Sequence, residues 1–135
     1  LYTLCALALM TSSCKTDGTA VAKVQKATYP TVWAEKEVPA FVDGLITNDK
    51  FDNSERKIEH VVWLETEKTM EEIYQWHKTS FSQAGWKNVR NKRSDIGEDT
   101  ESILMVHTKG SVKHNVVVLK HTIRTNQIKT ILSYF

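Results

Sequence analysis

The segment Thr69–Trp86, TMEEIYQWHKTSFSQAGW, decides the fold because it predicts the clearest helix in the chain. Thr69 and Glu72 form the pattern of a capping box, in which the hydroxyl accepts from the third helical N–H and the carboxylate reaches back to the cap. Apolar and aromatic side chains then recur at spacings of three and four residues, on one stripe: Met70, Ile73, Tyr74, His77 and Phe81. Gly85 can supply the left-handed residue that ends a helix, and the tryptophan after it can pack back on the helix. We therefore predict a helix over Met70–Ala84.

The rest of the folded part is predicted to be strands, because its runs are rich in β-branched and aromatic residues. Before the helix the predicted strands are Phe41–Thr47 and Lys57–Glu65, with Asp49–Ser54 as a polar turn. After the helix they are Trp86–Lys92, Ser102–Thr108, Lys113–Ile123 and Gln127–Tyr134. The connections between the last three are too short for a parallel crossover, which needs about a dozen residues. The order predicts an α+β fold, an antiparallel β-sheet with one main α-helix packed on one face.

The last predicted strand carries apolar residues on both of its faces. Ile128, Thr130, Leu132 and Tyr134 share one face, and Lys129, Ile131 and Ser133 share the other. Since neither face is wholly polar, we expect part of the second face to be covered by the tether described below or by a partner.

Length and composition describe one ordinary domain. The chain has 135 residues, of which 41% are hydrophobic and 25% charged, values typical of a globular protein. The net charge of +2 is too small to predict binding to nucleic acid or to a polybasic membrane site. We therefore expect no nucleic-acid partner.

The chain opens with an uncharged, apolar run, LYTLCALALM at Leu1–Met10. This run is too short to span a bilayer, which takes about 20 residues, but it has the length of the apolar region of a signal peptide. The small residues Thr11, Ser12 and Ser13 and then Cys14 follow it. Because no basic residue precedes the run, we expect residues 1–13 to be a signal peptide that is truncated at its N-terminus.

This start resembles the signal of bacterial lipoproteins, and the matching residues are Leu7, Leu9, Met10, Thr11, Ser12, Ser13 and Cys14. Thr11 stands where that motif prefers leucine, and an ordinary signal peptidase that releases a soluble protein would also accept these residues. The resemblance implies that Cys14 is lipidated and anchors the protein to the membrane. Lys15 after the cysteine implies the outer membrane, facing the periplasm. We interpret residues 14–37 as the lipidated cysteine and a flexible tether, and residues 38–135 as the globular domain.

The helix segment carries a second resemblance, to small domains of uncharacterised bacterial envelope lipoproteins. The matching residues are Thr69, Glu72, Tyr74, Phe81, Gly85 and Trp86. The resemblance covers about Pro39–Phe135, and it implies the architecture and the envelope location without any catalytic residue.

Five histidines are candidates for a metal site: His60, His77, His107, His114 and His121. A turn at Gly110-Ser111 would place His107 opposite His114, whereas a turn one residue earlier would place Met105 there. A closed zinc site needs more ligands than two histidines, and the mature chain offers no free cysteine. We interpret the histidines as isolated surface or half-buried side chains and predict no metal ligand. The alternative is a periplasmic protein that binds a small ligand or a metal through His107 and His114.

Charged residues form two neighbouring blocks after the helix. Four basic residues, Lys87, Arg90, Lys92 and Arg93, are followed by four acidic ones, Asp95, Glu98, Asp99 and Glu101. Blocks of opposite sign largely cancel beyond a Debye length of about 8 Å. We predict a hydrated hairpin rather than a phosphate or lipopolysaccharide site.

The remaining functional signals favour a binding protein over an enzyme. Trp33 in the tether and Trp76 beside the helix stripe are the candidate tryptophans for a partner surface, whereas the core explains Trp63 and Trp86. For Trp76 we expect partial burial at the edge of the core. The chain has no Gly-x-Ser-x-Gly elbow, no phosphate-binding glycine loop and no His-Glu-x-x-His helix. We predict a non-catalytic envelope lipoprotein without a cofactor, which binds another envelope protein or polymer.

Overall fold

The structure is a computed structural model that describes residues 27–96 and 99–135. In chain order these residues form helix α1 (Thr31–Glu35), strands β1 (Leu45–Asn53) and β2 (Ile58–Thr66), helix α2 (Met70–Gln83), and strands β3 (Lys87–Ile96), β4 (Asp99–Lys109), β5 (Val112–Lys120) and β6 (Asn126–Tyr134). The predicted signal peptide, Cys14 and the first part of the predicted tether lie outside the described residues.

Helix α2 confirms the capping-box prediction. The hydroxyl of Thr69 accepts from the backbone N–H of Glu72 at 3.1 Å, and the Glu72 carboxylate accepts from the backbone N–H of Thr69 at 3.0 Å. Gly85 follows the helix with φ +85°, the left-handed conformation that glycine adopts without a Cβ clash. The backbone N–H of Trp86 then donates to the carbonyl of Phe81 at 2.9 Å, and the two rings meet edge to face at 5.7 Å.

The six strands form one antiparallel sheet in the order β1-β2-β6-β5-β4-β3. Helix α2 joins β2 to β3, which lies at the far edge of the sheet, so the connection crosses the sheet. The antiparallel sheet and the single main helix confirm the prediction in outline. The balance differs from the predicted α+β layer, since the described chain is mainly β with a helix packed on the sheet.

The first strand corrects the sequence prediction. We expected a strand over Phe41–Thr47 and a turn over Asp49–Ser54, but β1 runs over Leu45–Asn53 and the turn lies at Ser54, whose N–H donates to the carbonyl of Lys57 at 2.9 Å. β1 is an edge strand with mostly exposed side chains, so its ladder to β2 outweighs the low strand propensity of its polar residues.

One face of the sheet, which we call the covered face, carries the hydrophobic core. Helix α2 and the segment around α1 pack on it. The core side chains are Val32, Trp33, Val38, Phe41, Val62, Leu64, Met70, Ile73, Phe81, Trp86, Ile103, Met105, Val116, Val118, Ile128 and Leu132.

Residues 27–37 correct the interpretation of this stretch as a flexible tether. Val32 and Trp33 in α1 are 8% and 2% exposed, and both belong to the core. The hydroxyl of Tyr29 donates to the carbonyl of Phe41 at 2.6 Å, which holds the segment against the domain. The physical reason is the large apolar area of the Trp33 indole. Its removal from water stabilises the packed segment more than the weak helical tendency of the segment destabilises it.

Candidate functional site

The second face of the sheet carries a row of apolar side chains and is the candidate binding site. Side chains alternate along each strand, and the register places seven apolar residues of β2, β4, β5 and β6 on this side, to which the edge strand β1 adds the exposed Leu45. We call it the open face, and its seven apolar residues on these four strands are Val61, Trp63, Leu104, Val106, Val117, Leu119 and Ile131. Both helices in the described ranges pack on the opposite, covered face. The open face is thus apolar without a helix of its own.

Exposure along the open face varies from centre to edge. Val61 is 5% exposed, because neighbouring strands shield it, whereas Leu119 is 45% exposed. The other five apolar side chains are half-buried. The apolar side chains of the open face form cross-strand rows. Val61 lies beside Ile131 in one row, and Val117 lies beside Leu104 in another. Such a contiguous apolar patch on a sheet is typical of a protein interaction site.

Positive charge surrounds and crosses these apolar rows. Besides Lys50, which pairs with Asp52, the register places five basic side chains on the open face: Lys87, Arg90, Lys92, Lys113 and Lys129. None of the five forms an ion pair with another residue in the described ranges. The ammonium of Lys129 lies 5.4 Å from the ring centroid of Trp63, within the range of a cation–π interaction.

The acidic side chains on the same face already have basic neighbours. Asp52 lies 3.2 Å from the ammonium of Lys50, and Glu59 lies 3.1 Å from that of Lys57. The carboxylate of Glu65 lies 2.9 Å from Nε2 of His121. The field of the open face is therefore positive, and it favours an anionic partner.

The edges of the sheet are built against pairing with another strand. The register shifts lie in the β1–β2 and β3–β4 pairs, which contain the two edge strands, and they skip Thr47, Val89 and Glu101. Bulges and charged side chains on edge strands are the usual protection against edge-to-edge association. The sheet face is therefore a better docking surface than the sheet edge.

The two tryptophans predicted at a partner surface lie on the covered side. Trp33 is buried, so the expectation that it is exposed is wrong. Trp76 is half-buried and meets Phe41 edge to face at 5.2 Å. Trp63, which the sequence pattern assigns to the core, is the tryptophan on the open face. Only the position of the helix decides this, because Val61, Val62, Trp63 and Leu64 supply apolar side chains to both faces.

The histidines form a separate cluster within the core. His107 pairs with His114 across the β4–β5 hairpin, as a turn at Gly110-Ser111 predicts, and their Nδ1 atoms lie 3.5 Å apart. The two side chains are 0% and 1% exposed, so their interpretation as surface or half-buried residues is wrong. The hairpin register puts both on the covered face, where the ring of Phe81 lies 4.2 Å from His107 and 4.6 Å from His114.

His77 brings a third imidazole to this cluster from α2. Its Nδ1–H donates to the carbonyl of Ile73 at 2.9 Å, and its ring stacks on that of Phe41 at 5.9 Å. Burial lowers the pKa of His77 and of His107 to about 4 and the pKa of His114 well below its ordinary value, since the core solvates an imidazolium poorly. All three rings are neutral at neutral pH.

Three of the four ring nitrogens of the histidine pair have a neighbour in the core, while Nε2 of His107 is buried without a hydrogen-bond partner among the described residues. Nδ1 of His114 faces His107, and its Nε2 hydrogen-bonds with the hydroxyl of Thr130. Among the described residues, no three histidine, cysteine, aspartate or glutamate side chains are grouped so that they could hold a metal ion. The pair thus acts as a hydrogen-bonded element of packing between α2, β4, β5 and β6.

The predicted block of basic residues after the helix, at positions 87, 90, 92 and 93, lies on β3. One of these residues, Arg93, forms an ion pair with Glu71 of α2 at 2.8 Å. The described helices include none with the length and hydrophobicity that a membrane crossing requires.

A scan against protein-family models gave no match, and a search of curated proteins gave no match either.

Proposed function

We propose that this protein is a non-catalytic binding module of the bacterial cell envelope, anchored by a lipid on Cys14, and that it holds a macromolecular partner on its open face. One observation carries the binding role: seven apolar side chains share a sheet face that neither described helix covers. The finer fold assignment, a two-layer α+β domain, is part of this proposal, because one covered face leaves the other for the partner.

The binding role also fits the protection of the sheet edges. Bulges in both edge pairs disfavour capture of an additional strand, so a partner has the face as its available apolar surface. The lipobox-like sequence before Cys14 supports the envelope location and the lipid anchor. No catalytic arrangement is needed for this role.

A capture experiment tests the binding role. The full chain is used as bait in an envelope extract, beside a triple variant of the open face, Leu104→Thr, Val117→Thr and Leu119→Thr. Threonine keeps the strand propensity but removes apolar area, so we expect the variant to lose the captured partner. The control is Ile123→Thr, which removes an apolar side chain that is 96% exposed but lies outside the open face. Equal capture by the triple variant and the parent would contradict the proposal.

Metabolic labelling tests the lipid anchor separately. The gene is expressed in bacteria with an alkyne fatty acid, and we expect the protein to be labelled and to fractionate with membranes. Cys14→Ala should lose the label, whereas Cys5→Ala should keep it, because Cys5 lies within the predicted signal peptide. Label that persists in Cys14→Ala would refute the anchor.

A further inference from the structure

We propose that the partner segment on the open face is an acidic amphipathic helix of another protein, an inference that rests on the binding role proposed above. A helix of this kind has an apolar stripe for the sheet and carboxylates on either side of it. Three features of the open face argue for it: its charge, its dimensions and the depth of its apolar side chains.

The positive charge of the open face indicates a partner segment of negative charge. Five basic side chains of the open face have no ion-pair partner among the described residues, while Asp52 and Glu59 are each engaged with a lysine. Lys129 lies at the centre, beside the Trp63 ring, and Lys92 and Arg90 lie along the β3 edge. Lys129 and Lys92 lie at the two ends of the cross-strand row that contains Val117 and Leu104, so glutamates spaced along a helix that crosses the strands would meet these two positions. A basic segment would be repelled at both.

The dimensions of the sheet fit one helix. Neighbouring strands lie about 4.8 Å apart, so the six strands span about 24 Å from first to last. A helix rises about 1.5 Å per residue, so about 16 residues cross that span. Helix α2 has 14 residues and packs on the other side of the same sheet. A partner helix on the open face would therefore complete a three-layer arrangement of helix, sheet and helix.

The depth of the apolar side chains disfavours a membrane as the occupant. Val61 is buried and five other apolar residues of the open face are half-buried, whereas the exposed Leu45 and Leu119 lie near the ends of their strands, so the centre of the face is a level surface. Insertion into the acyl boundary uses protruding apolar side chains that reach about 5–10 Å below the headgroups. A helix packs on a level sheet surface without this requirement.

The charge of the open face also disfavours binding of a second copy of the chain or of the chain's own predicted tether. A second copy would bring the same five basic side chains against this face, which places like charges together. Residues 14–26, the part of the predicted tether before the described residues, have three lysines, Lys15, Lys23 and Lys26, and one acidic residue, Asp17, so they carry the same sign as the face. A separate acidic protein segment has the complementary charge.

Two synthetic helical peptides test the inference with the full chain. The acidic peptide has a leucine stripe flanked by glutamates, and the basic peptide has lysine at every glutamate position; both carry a side-chain staple that holds the helix. Fluorescence anisotropy measures their binding. We expect saturable binding of the acidic peptide, about tenfold or more tighter than that of the basic peptide, and weakening of this binding as salt is added.

A charge-swap variant tests the site. Lys92→Glu with Lys113→Glu leaves three unpaired basic side chains beside two new glutamates, so the preference should be lost and the two peptides should bind with similar affinity. The control, Lys78→Glu with Lys120→Glu, has the same net charge but changes a residue of α2 and one at the end of β5. It should keep the preference of the parent. Equal effects of the two pairs would show that net charge alone acts, and this would overturn the inference.

Binding of a membrane or of a second copy of the chain to the open face would also overturn the inference of an acidic helix. Binding to vesicles of phosphatidylcholine and phosphatidylglycerol without binding of the acidic peptide would assign the face to a membrane. A dimer in analytical ultracentrifugation that the triple threonine variant dissociates would assign it to a second copy. If the face-dependent capture described above succeeds while the acidic peptide fails to bind, the binding role stands and only the helix assignment fails. If both fail, the binding role fails as well.

Discussion

Nδ1 of His107 lies 3.5 Å from Nδ1 of His114 across the β4–β5 hairpin, and neither side chain is more than 1% exposed. Two neutral imidazoles can lie this close together, because one of the two facing nitrogens donates a hydrogen bond and the other accepts it. Two imidazolium rings could not, because every ring nitrogen would then be a donor. The charges that act on His114 among the described residues are those of His77 and His107, with no carboxylate to compensate them.

We predict from this cluster that acid destabilises the fold. The pKa of His77 and of His107 falls to about 4 on folding, below an ordinary value of 6.5. A lowered pKa gives stability that is present above the unfolded pKa and lost as pH falls toward the folded value. By pH 5 each of the two histidines should cost on the order of 2 kcal/mol of unfolding free energy relative to pH 7.5. Urea unfolding at several pH values measures this loss.

A pair of single variants checks which histidines are responsible. His107→Gln removes a buried titrating group at nearly constant volume, so the loss between pH 7.5 and 5 should shrink by about 2 kcal/mol. The control, Thr79→Ala, changes an exposed side chain of α2 that does not titrate, so it should leave the pH dependence as it is in the parent. An unchanged pH dependence in His107→Gln would contradict the assignment to the buried cluster.

The cap of α2 gives a prediction about helix stability. Thr69→Ala removes the acceptor for the Glu72 N–H and one half of the capping box, so the unfolding free energy should fall by about 1 kcal/mol. Thr79→Ala is the matched control, because it changes an exposed threonine inside the same helix and should be neutral or slightly stabilising. Urea midpoints of the two variants measure the difference. Equal midpoints would show that the capping box contributes nothing.

Trp33 gives a prediction about where the folded domain begins. Trp33→Ala should lower the unfolding free energy by about 3–5 kcal/mol, because it leaves a large cavity in the core. Trp33→Phe should cost less, since it keeps an aromatic ring and removes an indole N–H that is buried without a hydrogen-bond partner among the described residues. A loss below about 1 kcal/mol for Trp33→Ala would mean that this segment is a tether after all.

Adjacent valines on β5 give a matched test of the two sheet faces. Val118 is 1% exposed on the covered face, whereas Val117 is half-buried on the open face. Val118→Thr places a hydroxyl in the core and should cost about 1–3 kcal/mol, whereas Val117→Thr should stay within about 0.5 kcal/mol of the parent. Thermal or urea unfolding compares them. A larger loss from Val117→Thr would mean that the open face is covered in the intact protein.

Several site residues could not be assigned from the sequence because it does not say which face a helix will cover. For His107 and His114 the sequence leaves two hairpin registers open, and it does not show that both side chains are buried. Trp63 lies among apolar residues on β2, which favours a core position from the sequence alone. In both cases the packing of α2 decides which side of the sheet is buried.

What the sequence determined by itself is the structure that depends on neighbours within a few residues. The capping box at Thr69 and the helix end at Gly85 rest on contacts between residues at most four apart along the chain or on one backbone conformation. The tertiary structure alone decided that β1 extends through Asn53, that Trp33 is buried and that Trp63 lies on the open face. These outcomes depend on contacts between residues distant in sequence, where burial of apolar area outweighs the weaker local preferences of the chain.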